Sequence, residues 1–288
     1  MKSTALTRLG ALALCAAAGA GMAGSALAQP MSPAQALLDQ SFVINAGAFL
    51  VQTGLKANLN GQSVNNPEVD FDETFGKAND ETRIRADALW RITPKHHLTF
   101  MYFDNSVSRT KVLDRDVNWG DNAYKVGATV TSDMKFKVGA LAYEYAFMRD
   151  PNYEVAARIG LHVSDLTLGL RGDATVTDSS GGTKPVSGAV QSNSVTAPLP
   201  VIGLRGAWAV TPNLVLDAQA QFFKVKVDEV DGSWSDLRAN ATWMFNKTFG
   251  LGLGYDRFYN HVDVTKPGFN GKVKMGYSGL QLFGTVAF

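Results

Sequence analysis

The chain has 288 residues, 45% of them hydrophobic, with 28 glycines, a single cysteine and a formal net charge of +1. After Gln29 no stretch approaches the roughly 18 consecutive apolar residues of a transmembrane helix, which excludes helical spans, and a near-neutral charge gives no electrostatic case for nucleic acid. So much apolar content without long apolar runs implies alternation, in which every second side chain is apolar.

Lys2 and Arg8 precede an apolar run from Leu9 to about Gly21, and Ala26-Leu27-Ala28 stands before Gln29. This pattern predicts a cleaved secretory signal over residues 1–28. Leu12-Ala13-Leu14-Cys15 resembles a lipobox. Leu14 is bulkier than the usual small residue, however, and the apolar run before Cys15 is only about six residues, short of the roughly 7–15 of a signal core. Cleavage would remove two of the 27 basic residues and none of the 26 acidic ones, leaving 25 against 26, or −1. Cys15 would leave too, so the exported chain would have no disulfide and would draw its stability from backbone pairing and burial. Residues 29–40 form a periplasmic leader. Ser32-Pro33 reads as an N-cap with Pro at the first helical position, compatible with one or two helical turns or with a disordered leader.

From residue 41 to 288 the sequence alternates. In Glu81 to Ile92 the residues Thr82, Ile84, Ala86, Ala88, Trp90 and Ile92 interleave with Glu81, Arg83, Arg85, Asp87, Leu89 and Arg91. Likewise Val155, Ala157, Ile159, Leu161 and Val163 oppose Glu154, Arg158, His162 and Ser164, and Leu237, Ala239 and Trp243 oppose Asp236, Arg238 and Asn240. An apolar outside and a polar inside predict a transmembrane antiparallel up-and-down β-barrel. Ten strands are expected, at 42–59, 79–92, 97–112, 127–149, 153–171, 199–211, 213–229, 233–245, 249–262 and 272–288; eight or twelve follow if one segment is miscounted. In 127–149 the parity that turns Leu141, Tyr143 and Tyr145 outward also turns Lys135 and Lys137 outward. Either a bulge flips the parity or the strand has left the bilayer there.

A recurring turn sets the orientation: Trp90-Arg91-Ile92-Thr93-Pro94, Phe147-Met148-Arg149-Asp150-Pro151, Trp208-Ala209-Val210-Thr211-Pro212 and Trp243-Met244-Phe245-Asn246-Lys247. Trp90, Phe147, Trp208 and Trp243 would form a periplasmic aromatic girdle. The opposite connections are long, at 60–78, 113–126, 172–198 and 263–271, with one tight hairpin near Asp231-Gly232. Alternation continues through Leu280, Leu282 and Val286 to Phe288, an ending expected to serve as an assembly signal.

Asp70-Phe71-Asp72-Glu73, the run from Arg83 to Arg91, Leu113-Asp114-Arg115-Asp116, Trp119-Gly120-Asp121 and Gly160-Leu161-His162-Val163-Ser164-Asp165-Leu166 together resemble proteobacterial outer-membrane barrels of the broad OmpA-barrel and OmpW-like group. The resemblance covers essentially the whole exported chain and implies a monomeric or weakly associating barrel. It carries over no functional residue. The partners expected are outer-membrane lipid and lipopolysaccharide, and the barrel-assembly machinery through the C-terminal strand; no cofactor is expected.

The lumen set holds Arg83, Arg85, Arg91, Arg158, Arg205 and Arg238 against Glu81, Asp87, Glu144, Glu154, Asp217, Asp236 and Asp256. Charges in a narrow interior are costly unless paired, which predicts an ion-pair network, acting as a rigid polar plug or as a constriction for small solutes. Ten strands enclose little more than the side-chain-filled eight-stranded case, so a general-diffusion porin is not expected. His162 and Ser164 share a strand face, as a serine-type site requires, but that face points inward, away from lipid. His96 and His97 fall in a turn, and His261 near an outer loop. Asp70, Asp72 and Glu73, with Glu68, are spaced as hard-cation ligands or as a solvated acidic loop. The role expected is structural or a narrow passive pore, with no enzymatic activity; the alternatives are an adhesin-like barrel acting through its loops and, third, a lipid-modifying enzyme.

Overall fold

The computed structural model describes residues 30–60, 66–76, 81–178, 180–227, 230–266 and 269–288. The expected signal over 1–28 lies outside them. In chain order the elements are α1 (Pro33–Asp39), β1 (Phe42–Leu59), β2 (Val69–Asp70), α2 (Phe71–Phe75), β3 (Glu81–Arg91), β4 (His96–Val112), β5 (Val117–Trp119), β6 (Asn122–Tyr124), β7 (Thr129–Asp150), β8 (Tyr153–Thr177), β9 (Thr183–Ala209), β10 (Leu214–Val227), β11 (Val230–Met244), β12 (Phe249–Lys266) and β13 (Phe269–Ala287). Ten of these strands run antiparallel in the order β8-β7-β4-β3-β1-β13-β12-β11-β10-β9, and β9 pairs back to β8, so the sheet is a closed barrel. β2, β5 and β6 are additions at its edge.

One end of the barrel is made of tight turns, built by one device. Thr93 Oγ1 accepts from the amides of Lys95 and His96, Thr211 Oγ1 from those of Asn213 and Leu214, and Asn246 Oδ1 from those of Thr248 and Phe249. The recurring motif is thus a side chain closing its own turn. At this end β1 and β13 seal the cylinder: the amides and carbonyls of Phe42 and Phe288 exchange hydrogen bonds of 2.8 and 2.9 Å, and the Phe42 ring stacks between Phe288 and Trp90.

Outward positions carry a band of exposed apolar side chains, among them Ile84 at 78%, Ile159 at 59% and Leu253 at 55%. Water would penalise such a surface; lipid would not. Inward parity holds without a break from Val130 to Ala146 of β7, so Lys135 and Lys137 face outward because the strand continues beyond the apolar band. The bulge in this strand lies lower, between Ala146 and Met148, and leaves both Phe147 and Met148 exposed.

Several loop assignments are corrected. Residues 172–198 are not a loop: β8 and β9 continue as a paired hairpin to Thr177↔Thr183, because Ser, Thr and Val there satisfy ladder pairing as readily as solvent. Residues 113–126 contain the β5–β6 hairpin, and 66–76 contain β2 and α2. Asp231 and Gly232 are strand residues opposite Lys226 and Val225, and the tip of that hairpin lies outside the described residues. Most of 263–271 is likewise strand, with Asp263 opposite Lys272 and Lys266 opposite Phe269.

Candidate functional site

The barrel's lumen is filled in layers. At the turn end α1 lies across the mouth, its first turn closed by a capping box in which Ser32 and Gln35 satisfy each other's amides. Ala34, Ala36, Leu37 and Leu38 are buried, the helix packing against Val43, Ala207, Val215 and Met244. Barrel arginines tie its end down. Arg91 donates to the Gln40 carbonyl at 2.8 Å, and Arg149 to the Leu38 carbonyl at 3.1 Å and to Asp39 at 2.7 Å.

Above α1 lies the predicted ion-pair belt, in two clusters. In the first, Arg205 bridges two carboxylates, donating to Glu144 at 2.8 Å and to Glu154. Arg158 lies 3.4 Å from Glu144 and donates to Gln219 at 2.7 Å and to Thr99 at 2.8 Å. In the second, Arg85 binds Asp256 and lies 3.6 Å from Asp87, and Arg238 donates to Asp87 at 2.8 Å. Register explains the assembly: Glu144 faces Arg158 across β7–β8, and Arg205, Gln219, Arg238 and Asp256 form one row across β9 to β12. Asp217 accepts from Asn240 at 2.9 Å. Asp236 is buried with no hydrogen-bond partner on either carboxylate oxygen. Arg83 donates to Asn105 and to the Ser106 carbonyl, and the side chain of Glu81 lies outside the described residues. Between α1 and the belt remains a cavity of about 110 Å³ lined by Leu37, Arg91, Glu144, Arg158, Asp217 and Arg238 among others.

One residue was misplaced by the sequence reading. His97 is not in a turn; it is the first inward side chain of β4, fully buried 3.7 Å from Glu154 and 3.9 Å from Glu144. The turn is shorter than its polar composition implies, because Thr93 closes it within four residues. His162 lies at the upper edge of the belt, 3.2 Å from Gln221 and edge-on to Trp234 at 4.4 Å; Ser164 is buried nearby in sequence with no hydrogen-bond partner.

Beyond the belt the lumen turns apolar, a layer that the expectation of a polar interior missed. Phe49, Phe103, Phe136, Trp234, Phe258 and Tyr277 pack ring to ring, with Phe258 stacked on Tyr277 at 4.6 Å and Phe49 edge-on to Phe103 at 5.5 Å. Each sits on the inward parity that places Arg and Glu below it, so alternation itself carried the signal. A second apolar tier closes the far end, where Phe71 of α2 meets Trp119 of β5 at 5.5 Å and Leu166, Leu168 and Leu170 line the wall.

The acidic segment is not a free ligand set. Asp70 caps α2 and pairs with Lys56 at 2.7 Å, Asp72 with Arg109 at 2.9 Å, Glu73 with Arg115 at 2.8 Å and Glu68 with Lys274 at 2.9 Å. The bonds from Lys56 and the α2 amides hold the Asp70 carboxyl below the ordinary carboxylate range despite partial burial. Among the described residues no group of three or more His, Cys, Asp or Glu is placed to hold a metal ion.

Among solved structures the chain is similar to the outer-membrane protease OmpT of Escherichia coli, with a TM-score of 0.58 at 10% identity over 86% of this chain and 96% of that one. The fold is that of an outer-membrane barrel. Lower-scoring matches are the attachment invasion locus protein Ail of Yersinia pestis (TM-score 0.35, 10% identity, 84% and 97% covered) and the toluene transporter TodX of Pseudomonas putida (0.39, 9%, 88% and 92%). No family model matches the sequence, and no curated protein does. What the barrel does therefore rests on its own residues.

Proposed function

We propose that this protein is an integral outer-membrane barrel, exported through a cleaved signal, whose lumen is sealed and whose role is to hold an extracellular β-extension in place for binding. The observation that carries this reading is the stack formed in the lumen by the described residues: α1, the ion-pair belt, the aromatic tier and the Phe71–Trp119 tier follow one another, with a cavity of about 110 Å³ between the first two. The apolar outer band and the exposed Trp90, Phe147, Trp208, Trp243 and Phe288 at one height support lipid immersion with the tight turns in the periplasm. Strands β7, β8 and β9 then rise beyond the outer leaflet. Grouping with OmpA-barrel or OmpW-like proteins, a monomeric state, contact with lipopolysaccharide and delivery by the assembly machinery belong to the same proposal.

A solute path would have to cross a layer of interlocked rings, which disfavours the passive pore. Catalysis through His162 and Ser164 is disfavoured by their burial within the wall. Refolded protein in planar bilayers should give no single-channel steps. Steady steps whose size changes with Arg158→Ala would overturn the sealed reading in favour of the pore.

A further inference from the structure

The ladder between β9 and β10 stops at Ile202↔Phe222, although β9 continues to Thr183 and β10 to Val227. Pro198 and Pro200 account for the stop. Both remain in register with β8, opposite Val163 and Leu161, so the amide donors they lack belong to the edge turned away from β8. The next pairs would set Pro200 against Lys224 and Pro198 against Lys226, and neither proline can donate. The two strands part there.

Beyond the prolines, Ser187–Ala197 contains no proline and no charged residue, and it stays paired to β8 throughout Ala189–Ala197. Its other edge has no strand partner among the described residues. Outward Ser192, Ser194 and Thr196 are exposed and lie beyond the apolar band, since β8 opposite them has passed from Val163 to Asp165 and Thr167. Proteins usually blunt an edge of this length with Lys, Pro or a bulge, because its unpaired amides and carbonyls template another strand. Within Val190–Ala197 itself there is no Lys, Pro or bulge, the bulge at Gly188 and the two prolines lying just outside it, and exposed Lys224 and Lys226 stand on the opposite margin of the gap.

We infer that Val190–Ala197 is a strand-accepting edge that takes an extended, acid-bearing segment of another extracellular protein by β-augmentation. Backbone hydrogen bonds from alternate β9 residues would give affinity, and Lys224 and Lys226 would select negative charge. A second copy fits poorly: two copies in one membrane share their upward direction, so their β9 edges would meet parallel, each bringing its lysines without an acidic complement. The inference rests on the reading of the extension as a binding surface.

The test uses refolded full-length exported protein and a fluorescein-labelled nine-residue peptide, Thr-Glu-Val-Glu-Thr-Glu-Val-Glu-Thr. Saturating peptide should slow amide exchange at Val190, Ser192, Ser194 and Thr196. Ser194→Pro, which removes a free-edge donor and spares the β8 ladder, should weaken binding about tenfold, as should Lys224→Glu with Lys226→Glu. Ser194→Glu, which leaves every backbone donor in place and sets like charge against the peptide, serves as the variant least able to disturb folding and should also weaken binding. Absence of binding, or binding that leaves those four amides exchanging as before, overturns the edge assignment even if the bilayers stay silent. Channel steps with edge protection intact would overturn only the sealed lumen.

Discussion

Within the belt, chemically similar carboxylates have opposite expected effects. Glu144 is shared by Arg205 and Arg158, so Glu144→Gln removes one of the two carboxylates on Arg205 and the only one within ion-pair distance of Arg158 among the described residues, and should lower stability by about 3 kcal/mol, read from urea unfolding in micelles. Asp236, buried and diagonal to Asp256 across β11–β12, satisfies no hydrogen bond, so Asp236→Asn should raise stability by about 1 kcal/mol. A stability loss for Asp236→Asn as large as that for Glu144→Gln would show the belt to be one cooperative network. Outside the membrane, Ser187 Oγ and the Gly188 amide both donate to Asp173, at 2.7 and 2.9 Å, and hold its carboxyl below its ordinary value of 3.8. A carboxyl depressed by folding contributes stability above its unfolded value and loses it as pH falls through the folded one. Gly188, whose φ of +62° suits the bulge, should therefore exchange its amide faster only once pH drops well below 3.8. Unchanged protection in that range would mean that the β8–β9 ladder, not Asp173, holds the tip.

At the level of elements, the strands were legible from alternation, with eight or twelve left open beside ten, while α1 stood beside a disordered leader as an alternative, for a physical reason. Alternation is repeated across ten strands and constrained by closure, whereas a seven-residue helix is fixed by what it packs on. Ser32-Pro33 announced the cap, but only the contacts of Leu37 and Leu38 with the lumen wall, and the hold of Arg91 and Arg149, decide that the segment is ordered. Ser32→Ala should cost about 1 kcal/mol of the helix's local stability, seen as faster exchange at Gln35 while the strands keep their protection. The β8–β9 extension was read as a loop because its composition, Ser, Thr, Gly and Asn, is that of turns; paired on β8, the same residues make a strand. Glu81 to Arg91, by contrast, showed its charged face at once, since apolar and charged residues interleave there save at Thr82 and Leu89.

For the molecule as a whole, the division of the lumen into a charged lower half and an aromatic upper half decides what crosses it. Inward parity at Phe49, Phe103, Phe136 and Phe258 continues that of Asn45, Thr99, Glu144 and Asp256 on the same four strands, so the same alternation builds both halves, and only the residue type changes with height. The charged half alone would admit water once α1 were displaced, because Arg91, Glu144, Arg158 and Asp217 line its cavity. The aromatic half would not, since ring-to-ring contacts leave no room for a hydrated ion. Deleting 30–40 should thus leave refolded protein silent in planar bilayers while opening the lower cavity to solvent, read as faster exchange at Thr99 and Gln219. Conductance from the α1 deletion by itself would place the seal in the helix instead of the rings.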